Sequence, residues 1–268
     1  MTRLAAICRL AAVMLLWLLP AVAGAQQYNG TTGLLHVPSA NMGREGDARI
    51  GMHFLHKCFT PDTGFLFGGQ KYDTYDYYLG ITPYRWLEIS YACTKRKITR
   101  PVSGDTVYGA KDRYFSVKIQ PVSEGRYRPA LAIGCNDIGT TVFRKDRSDA
   151  QLYFSNVYLA ASKHVAVGGS LLGVNIAYRH YFRAYNDKWN GLVGGLTFSP
   201  AFLPQARAVV EYTGDALLIG ADALICKHIL LQACLQDFKY CTFGVCLRLN
   251  MLRERMPQNN TLPSLHYR

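Results

Sequence analysis

From Leu217 to Asn250, apolar and polar residues alternate with a period of two through three successive segments. In the first, one face carries Leu217, Ile219, Ala221, Ala223 and Ile225. The other carries Gly220 and Asp222, with Leu218 and Leu224 as apolar exceptions. Leu231, Ala233 and Leu235 then oppose Gln232, Cys234 and Gln236. Finally Cys241, Phe243, Val245, Leu247 and Leu249 oppose Thr242, Gly244, Cys246 and Arg248. Successive strand side chains point to opposite faces, so each segment reads as a strand between an apolar and a polar medium. Ionisable groups on the polar face suit a membrane barrel with a wet lumen and an apolar outside.

The same alternation recurs upstream at 47–59, 72–81, 84–92, 115–119, 131–135, 152–161, 165–178, 192–199 and 208–212. Turn signals separate the runs: Thr82-Pro83, Ser103-Gly104-Asp105, Glu124-Gly125, Asn186-Asp187 and Gly214-Asp215. The polar stretches 95–112 and 140–149 read as longer loops on one rim. The predicted fold is all-β, an antiparallel up-and-down transmembrane β-barrel of roughly twelve strands. A soluble β-sandwich would also alternate, with its apolar faces in a shared core. Aromatic load favours the barrel. Of 18 Tyr and 3 Trp, Tyr72, Tyr84, Trp86, Tyr178, Tyr181 and Trp189 fall near segment ends, as membrane-interface girdles require.

Residues 1–25 read as a secretory signal peptide: Arg3 and Arg9, an apolar core over 10–19, and Ala23-Gly24-Ala25 for cleavage. No acceptor cysteine sits at the cleavage point, so lipidation is not expected. Residues 26–46 form an N-terminal segment, 47–250 the barrel, and 251–268 a polar tail expected to be disordered. Beyond the leader no apolar run reaches the length of a spanning helix, so membrane insertion would be by strands.

The net charge of +12 becomes +10 once Arg3 and Arg9 are removed. In an exported chain this suits anionic headgroups or acidic polysaccharide, and no nucleic-acid partner is expected. Cys8 lies in the leader, so seven of the 8 cysteines remain, none in Cys-x-x-Cys spacing. A disulfide framework is not expected.

Catalytic chemistry is thin. His53 and His56, three apart on a strand, point to opposite faces and do not share a metal readily. Ser39 lies in no nucleophile elbow. No catalytic, metal or cofactor residues are expected. The polar-face residues Glu88, Lys118, Glu211, Asp222 and Arg248 are expected to face the lumen, as ion pairs or along a hydrophilic path. Added charge should be costly at Val245 or Ile219 on the outer face and tolerated at Gln232 or Thr242 on the inner one.

Six ordered segments resemble the YjbH-like family of Gram-negative outer-membrane proteins associated with exopolysaccharide biosynthesis. They are Gly33-Leu34-Leu35-His36-Val37-Pro38-Ser39-Ala40-Asn41-Met42, Ile81-Thr82-Pro83-Tyr84-Arg85-Trp86-Leu87-Glu88-Ile89-Ser90, Lys111-Asp112-Arg113-Tyr114-Phe115-Ser116-Val117-Lys118, Pro129-Ala130-Leu131-Ala132-Ile133-Gly134, Tyr158-Leu159-Ala160-Ala161-Ser162-Lys163 and Val210-Glu211-Tyr212. The resemblance implies a Sec-exported, non-enzymatic barrel in the outer membrane of a Gram-negative bacterium, supporting exopolysaccharide or capsule export or surface assembly. Its partners would be outer-membrane lipids, anionic polysaccharide and other export-system proteins. A general small-solute porin or structural barrel is the competing expectation, and a secreted β-sandwich enzyme or lectin a more distant one.

Overall fold

The computed structural model describes residues 26–62, 71–99, 103–138 and 152–252. The leader, the loop expected at 140–149 and the tail from 253 lie outside these described residues. Twelve strands form one closed sheet: β1 (Asp47–Leu55), β2 (Thr74–Tyr84), β3 (Leu87–Thr99), β4 (Thr106–Val122), β5 (Ala130–Asn136), β6 (Asn156–Val167), β7 (Ser170–Tyr181), β8 (Gly191–Ser199), β9 (Ala206–Tyr212), β10 (Leu217–Ile225), β11 (Ile229–Gln236) and β12 (Tyr240–Asn250). Each pairs antiparallel with its chain neighbours, and β12 closes on β1 from Asp47↔Asn250 to Phe54↔Phe243. Closure removes the free edges that an open sheet would present, the condition a sheet must meet to cross lipid.

The period-two pattern sets which side chains face out. On β5, β6 and β7, Ile133, Leu159 and Ile176 point outward and are 53%, 58% and 55% exposed. Inward positions on the same strands hold Ala132, Ala160 and Ala177, all buried. Large apolar residues thus cover the outside of the molecule, which rules out the sandwich, where they would share a core.

Connections differ between the two rims. The links at 56–73, 137–155 and 182–190 leave one rim, and the short turns at 85–86, 168–169 and 226–228 leave the other. The polar run 95–112 is mostly strand, because β3 and β4 continue to Thr99 and from Thr106. There the outer face has left the apolar belt while Thr94, Arg96 and Asp112 on the inner face stay buried, so Lys95, Lys97 and Lys111 mark the height of the wall and no loop. The run 165–178 divides at Gly168-Gly169, whose φ values of 57° and 81° make a tight turn between β6 and β7. The first strand stops at Leu55 and gives way to a 3₁₀ turn at Lys57–Phe59.

The interior is no water-filled channel at the level described. An eight-stranded barrel is just filled by its own side chains, so twelve strands leave room for more. Residues 26–46 occupy that room. Leu34, Val37 and Ala40 pack against Ala130, Ala132, Ala160, Ala177, Val193 and Val209. The small inward residues of β5 to β8 make the hollow that admits the segment. Tyr28 joins a second cluster with Phe154, Trp189, Leu218, Leu224 and Leu230. This explains Leu218 and Leu224: they break the alternation because the plug gives the lumen an apolar core. Tyr181 and Trp189 also belong to that core and are 2% exposed, whereas Tyr84, Trp86 and Tyr178 stand on the outer face as girdle positions should.

Gly46 ends the plug and carries it onto the wall. Its N–H donates to the Thr82 carbonyl at 2.8 Å, and its own carbonyl accepts from Met251 at 2.9 Å. With φ at +83° and a Cβ position 2.6 Å from Leu252, only glycine fits there without strain.

Candidate functional site

The plug's backbone turns back twice, with Gln26 paired to Thr32 and Gly33 to Pro38. Such a segment cannot satisfy its own polar groups, so the wall must do so. Two carboxylates take most of this task. Glu211 on β9 accepts the N–H groups of Leu35, His36 and Val37 at 2.7, 2.9 and 2.8 Å. Glu88 on β3 accepts from the Thr32 N–H at 2.8 Å, the Thr32 hydroxyl at 2.6 Å and the Gly43 N–H at 2.5 Å.

Buried charge needs compensation. Glu88 has Arg49 at 3.1 Å and Lys118 at 3.9 Å, so this carboxylate sits between two cations. Lys118 also donates to the carbonyls of Thr32, at 2.7 Å, and Asn41. Arg179 on β7 spends its guanidinium on carbonyls: His36 at 3.0 Å, Thr213 at 2.9 Å and Trp189 at 3.1 Å. Ser162 accepts the Ala40 N–H at 2.8 Å, and Gln120 donates to the Ala40 carbonyl at 2.6 Å. The charge-assisted bonds of Glu88, Glu211, Lys118 and Arg179 are about twice as strong as neutral ones such as those to Ala40.

His36 sits at the centre of the plug. Its ring meets Trp189 edge-on at 4.8 Å and Tyr28 at 5.6 Å, with Nδ1 3.3 Å from an Arg179 nitrogen. Burial, followed by the charges of Arg179 and Lys188, holds the imidazole well below its usual pKa. The ring is therefore neutral, and Nδ1 accepts from Arg179.

Of the five polar-face residues singled out by sequence, Glu88, Lys118 and Glu211 hold the plug. Asp222 pairs with Arg207, its register partner across β9 and β10, at 2.8 Å. Arg248 lies 3.7 Å from Asp47 at the opposite end of the β1–β12 seam from His53. Sequence reading missed Arg49, Arg179, Ser162 and Gln120. The parity that selected Glu88 also points these four inward, but nothing in it announces a chain inside the lumen. The available signal was Ala and Gly at inward positions, such as Ala132, Gly134, Ala160 and Ala177. His53 stacks on Tyr78 in the lumen and His56 on Tyr240 at the rim. Among the described residues no cluster of His, Cys, Asp or Glu has the arrangement of a metal site.

Residues 25–178 match the family described as "Exopolysaccharide biosynthesis protein YbjH", YjbH. The chain belongs to this family. The YjbH match takes in the plug, Glu88, Lys118 and Arg49, and ends before Arg179, Glu211, Asp222 and Arg248. Over 166 residues the chain is 28% identical to the "Uncharacterized lipoprotein YjbH" of Escherichia coli K12, covering 59% of this chain and 20% of that one. It thus spans about a fifth of this relative's length. Among solved structures it is similar to the outer membrane phospholipase A of Escherichia coli, at 11% identity and TM-score 0.35, covering 76% of this chain and 95% of that one. It is also similar to the Salmonella typhi outer membrane phospholipase dimer with bound calcium, at 12% identity and TM-score 0.34, covering 77% and 91%. Likeness at this level says nothing of activity.

Proposed function

We propose that this chain is a non-enzymatic outer-membrane barrel that supports exopolysaccharide export or surface assembly from beside the polymer's path. The observation that carries the reading is the occupied lumen. A polysaccharide strand would have to displace the plug and sever the bonds to Glu88, Lys118, Arg179 and Glu211. The same observation counts against a general porin. Family membership supplies the polymer class, and the apolar outer wall supplies a surface suited to outer-membrane lipid. The leader at 1–25 fits Sec export in a Gram-negative cell, and the longer links at 56–73 and 137–155 fit the outward-facing rim. The chain then serves as an accessory or docking element for other export-system proteins.

The test pairs a deletion strain with planar-bilayer recordings. Deletion should lower surface glycan, wild type should restore it, and the purified barrel should conduct poorly. Unchanged surface glycan together with large, unselective conductance would make this a porin.

A further inference from the structure

We propose that the rim cavity between the ends of β1, β2, β3 and β12 binds an acidic sugar unit of an anionic polysaccharide. The cavity is open to solvent, has a volume of about 670 Å³ and is lined by His56, Lys57, Lys71, Asp73, Lys97 and Tyr240 among others. That volume falls in the roughly 300–1,000 Å³ range of small-ligand sites. It lies on the rim bearing the long links, clear of the plug.

Charge and shape each narrow the occupant. Lys57, Lys71 and Lys97 line the cavity, with Asp73 as the single carboxylate. Asp73 is already engaged, accepting the Lys57 N–H at 2.8 Å with His56 Nε2 at 3.9 Å. Lys71 is held by Asp62 at 2.6 Å. Among the described residues no carboxylate pairs with the ammonium groups of Lys57 or Lys97, so the cavity presents a net positive charge. Lys97 lies 5.1 Å from the Tyr108 ring, a contact that does not neutralise its charge.

The walls add flat aromatic surface. His56 and Tyr240 stack on each other at 4.7 Å with an angle of 15° between rings, forming an aromatic platform beside Lys57; Lys239 Nζ lies 5.3 Å from the Tyr240 ring as a further cation, and Tyr72 contributes a phenol. A cation next to an aromatic plane suits a pyranose ring carrying a carboxylate: the ring's C–H face lies on the platform while the acid meets ammonium. A phosphate alone would use the lysines and leave the platform idle. An acidic peptide would match the charge but lacks the flat ring. The inference rests on the polysaccharide reading above for its polymer class. It adds a place where the barrel would hold that polymer without conducting it.

The experiment is calorimetry on the purified full chain in detergent micelles, with trigalacturonate as the probe. Maltotriose, triglutamate, inorganic phosphate and lipopolysaccharide serve as comparisons. Trigalacturonate should bind, maltotriose should not, and triglutamate and phosphate should bind at least about tenfold more weakly. The double variant Lys57→Gln/Lys97→Gln should weaken trigalacturonate by about tenfold or more, as should Tyr240→Ser. Heat-modifiable mobility reports that each variant is folded, and Tyr240→Phe, which keeps the platform, should bind as wild type. Trigalacturonate binding unchanged in both the double variant and Tyr240→Ser would overturn the assignment. So would triglutamate binding as tightly as the sugar, or binding confined to lipopolysaccharide. A barrel that restores surface glycan in the deletion strain yet fails to bind trigalacturonate would overturn the cavity alone and leave the accessory role standing.

Discussion

Glu211 and His36 are 175 residues apart in the chain, yet the Glu211 carboxylate accepts the His36 backbone N–H at 2.9 Å. The same carboxylate takes the N–H groups on either side, so one wall residue fixes the turn of the plug. Replacing Glu211 with Leu should strand these donors in an apolar surrounding and weaken docking by at least about 3 kcal/mol. Glu211→Gln keeps one acceptor oxygen and should fall between. Bilayer conductance and protease cleavage within residues 26–43 report the release. A Glu211→Leu barrel as closed and as resistant as wild type would show that the plug is held elsewhere.

Acid should loosen the plug through His36. Its pKa when docked lies well below the ordinary 6.5, through burial and then the Arg179 and Lys188 charges. The undocked ring therefore takes up a proton first as pH falls. Docking keeps its full stability above about pH 6.5 and loses at most about 1.4 kcal/mol for each pH unit below that. Conductance measured against pH should rise on acidification in wild type, and His36→Gln should lack this step. An identical profile in both would assign the effect to another group.

Gly134 lies opposite Tyr158 in the β5–β6 register, and the tyrosine ring covers the glycine on the lumen side. A methyl at position 134 would overlap that ring. Gly134→Ala should cost about 1–3 kcal/mol by overpacking, seen as a lower temperature for the heat-modifiable gel shift. Shrinking the ring with Tyr158→Leu in the Gly134→Ala background should recover part of the loss. If Gly134→Ala melts with wild type, the ring is freer than its contacts imply.

On the outer wall, Val245→Arg should destabilise the membrane-inserted barrel by about 2–4 kcal/mol, measured by urea titration in lipid vesicles. Val245→Leu should be nearly neutral. The alternation alone predicts that Thr242→Arg is tolerated as a lumenal charge, and the structure reverses this. Thr242 is fully buried and donates its hydroxyl to the Phe54 carbonyl. Arginine there has no water to reach, so its cost should approach that of Val245→Arg. A cheap Thr242→Arg would point to a hydrated lumen beside β12.

The architecture could be read from period-two alternation because a lipid-facing wall admits only apolar side chains on one face. Val245, Ile133 and Leu159 obey that demand whatever fills the barrel. The interior was less legible, since inward side chains answer to whatever occupies the lumen. Leu218 and Leu224 look like lapses in the pattern until Tyr28 and Trp189 are seen beside them. Chain position alone marks Tyr181 as a girdle residue, yet it is an odd number of residues from outward-facing Tyr178 and so points inward. Boundaries failed where water replaced lipid: beyond the apolar belt, Lys95 and Lys111 sit on strand without breaking it. The motif at 33–42 was recognisable as a family feature, but its task is done by backbone N–H and C=O groups. Those carry no side-chain signature.

The seam between β1 and β12 is the one strand pairing in the barrel whose strands are not consecutive in the chain. Gly46 bridges it, bonded to Thr82 on β2 and to Met251 just past β12, while Glu45 accepts from Asn250 at 2.9 Å. The leash of the plug is thus a clasp over the join that closes the barrel. Parting the seam sideways pulls first on the residues that anchor the plug at Glu88, and a docked plug resists that parting. Tight docking and resistance to lateral opening should therefore rise and fall together, so a substitution deep in the lumen can be felt at the lipid boundary.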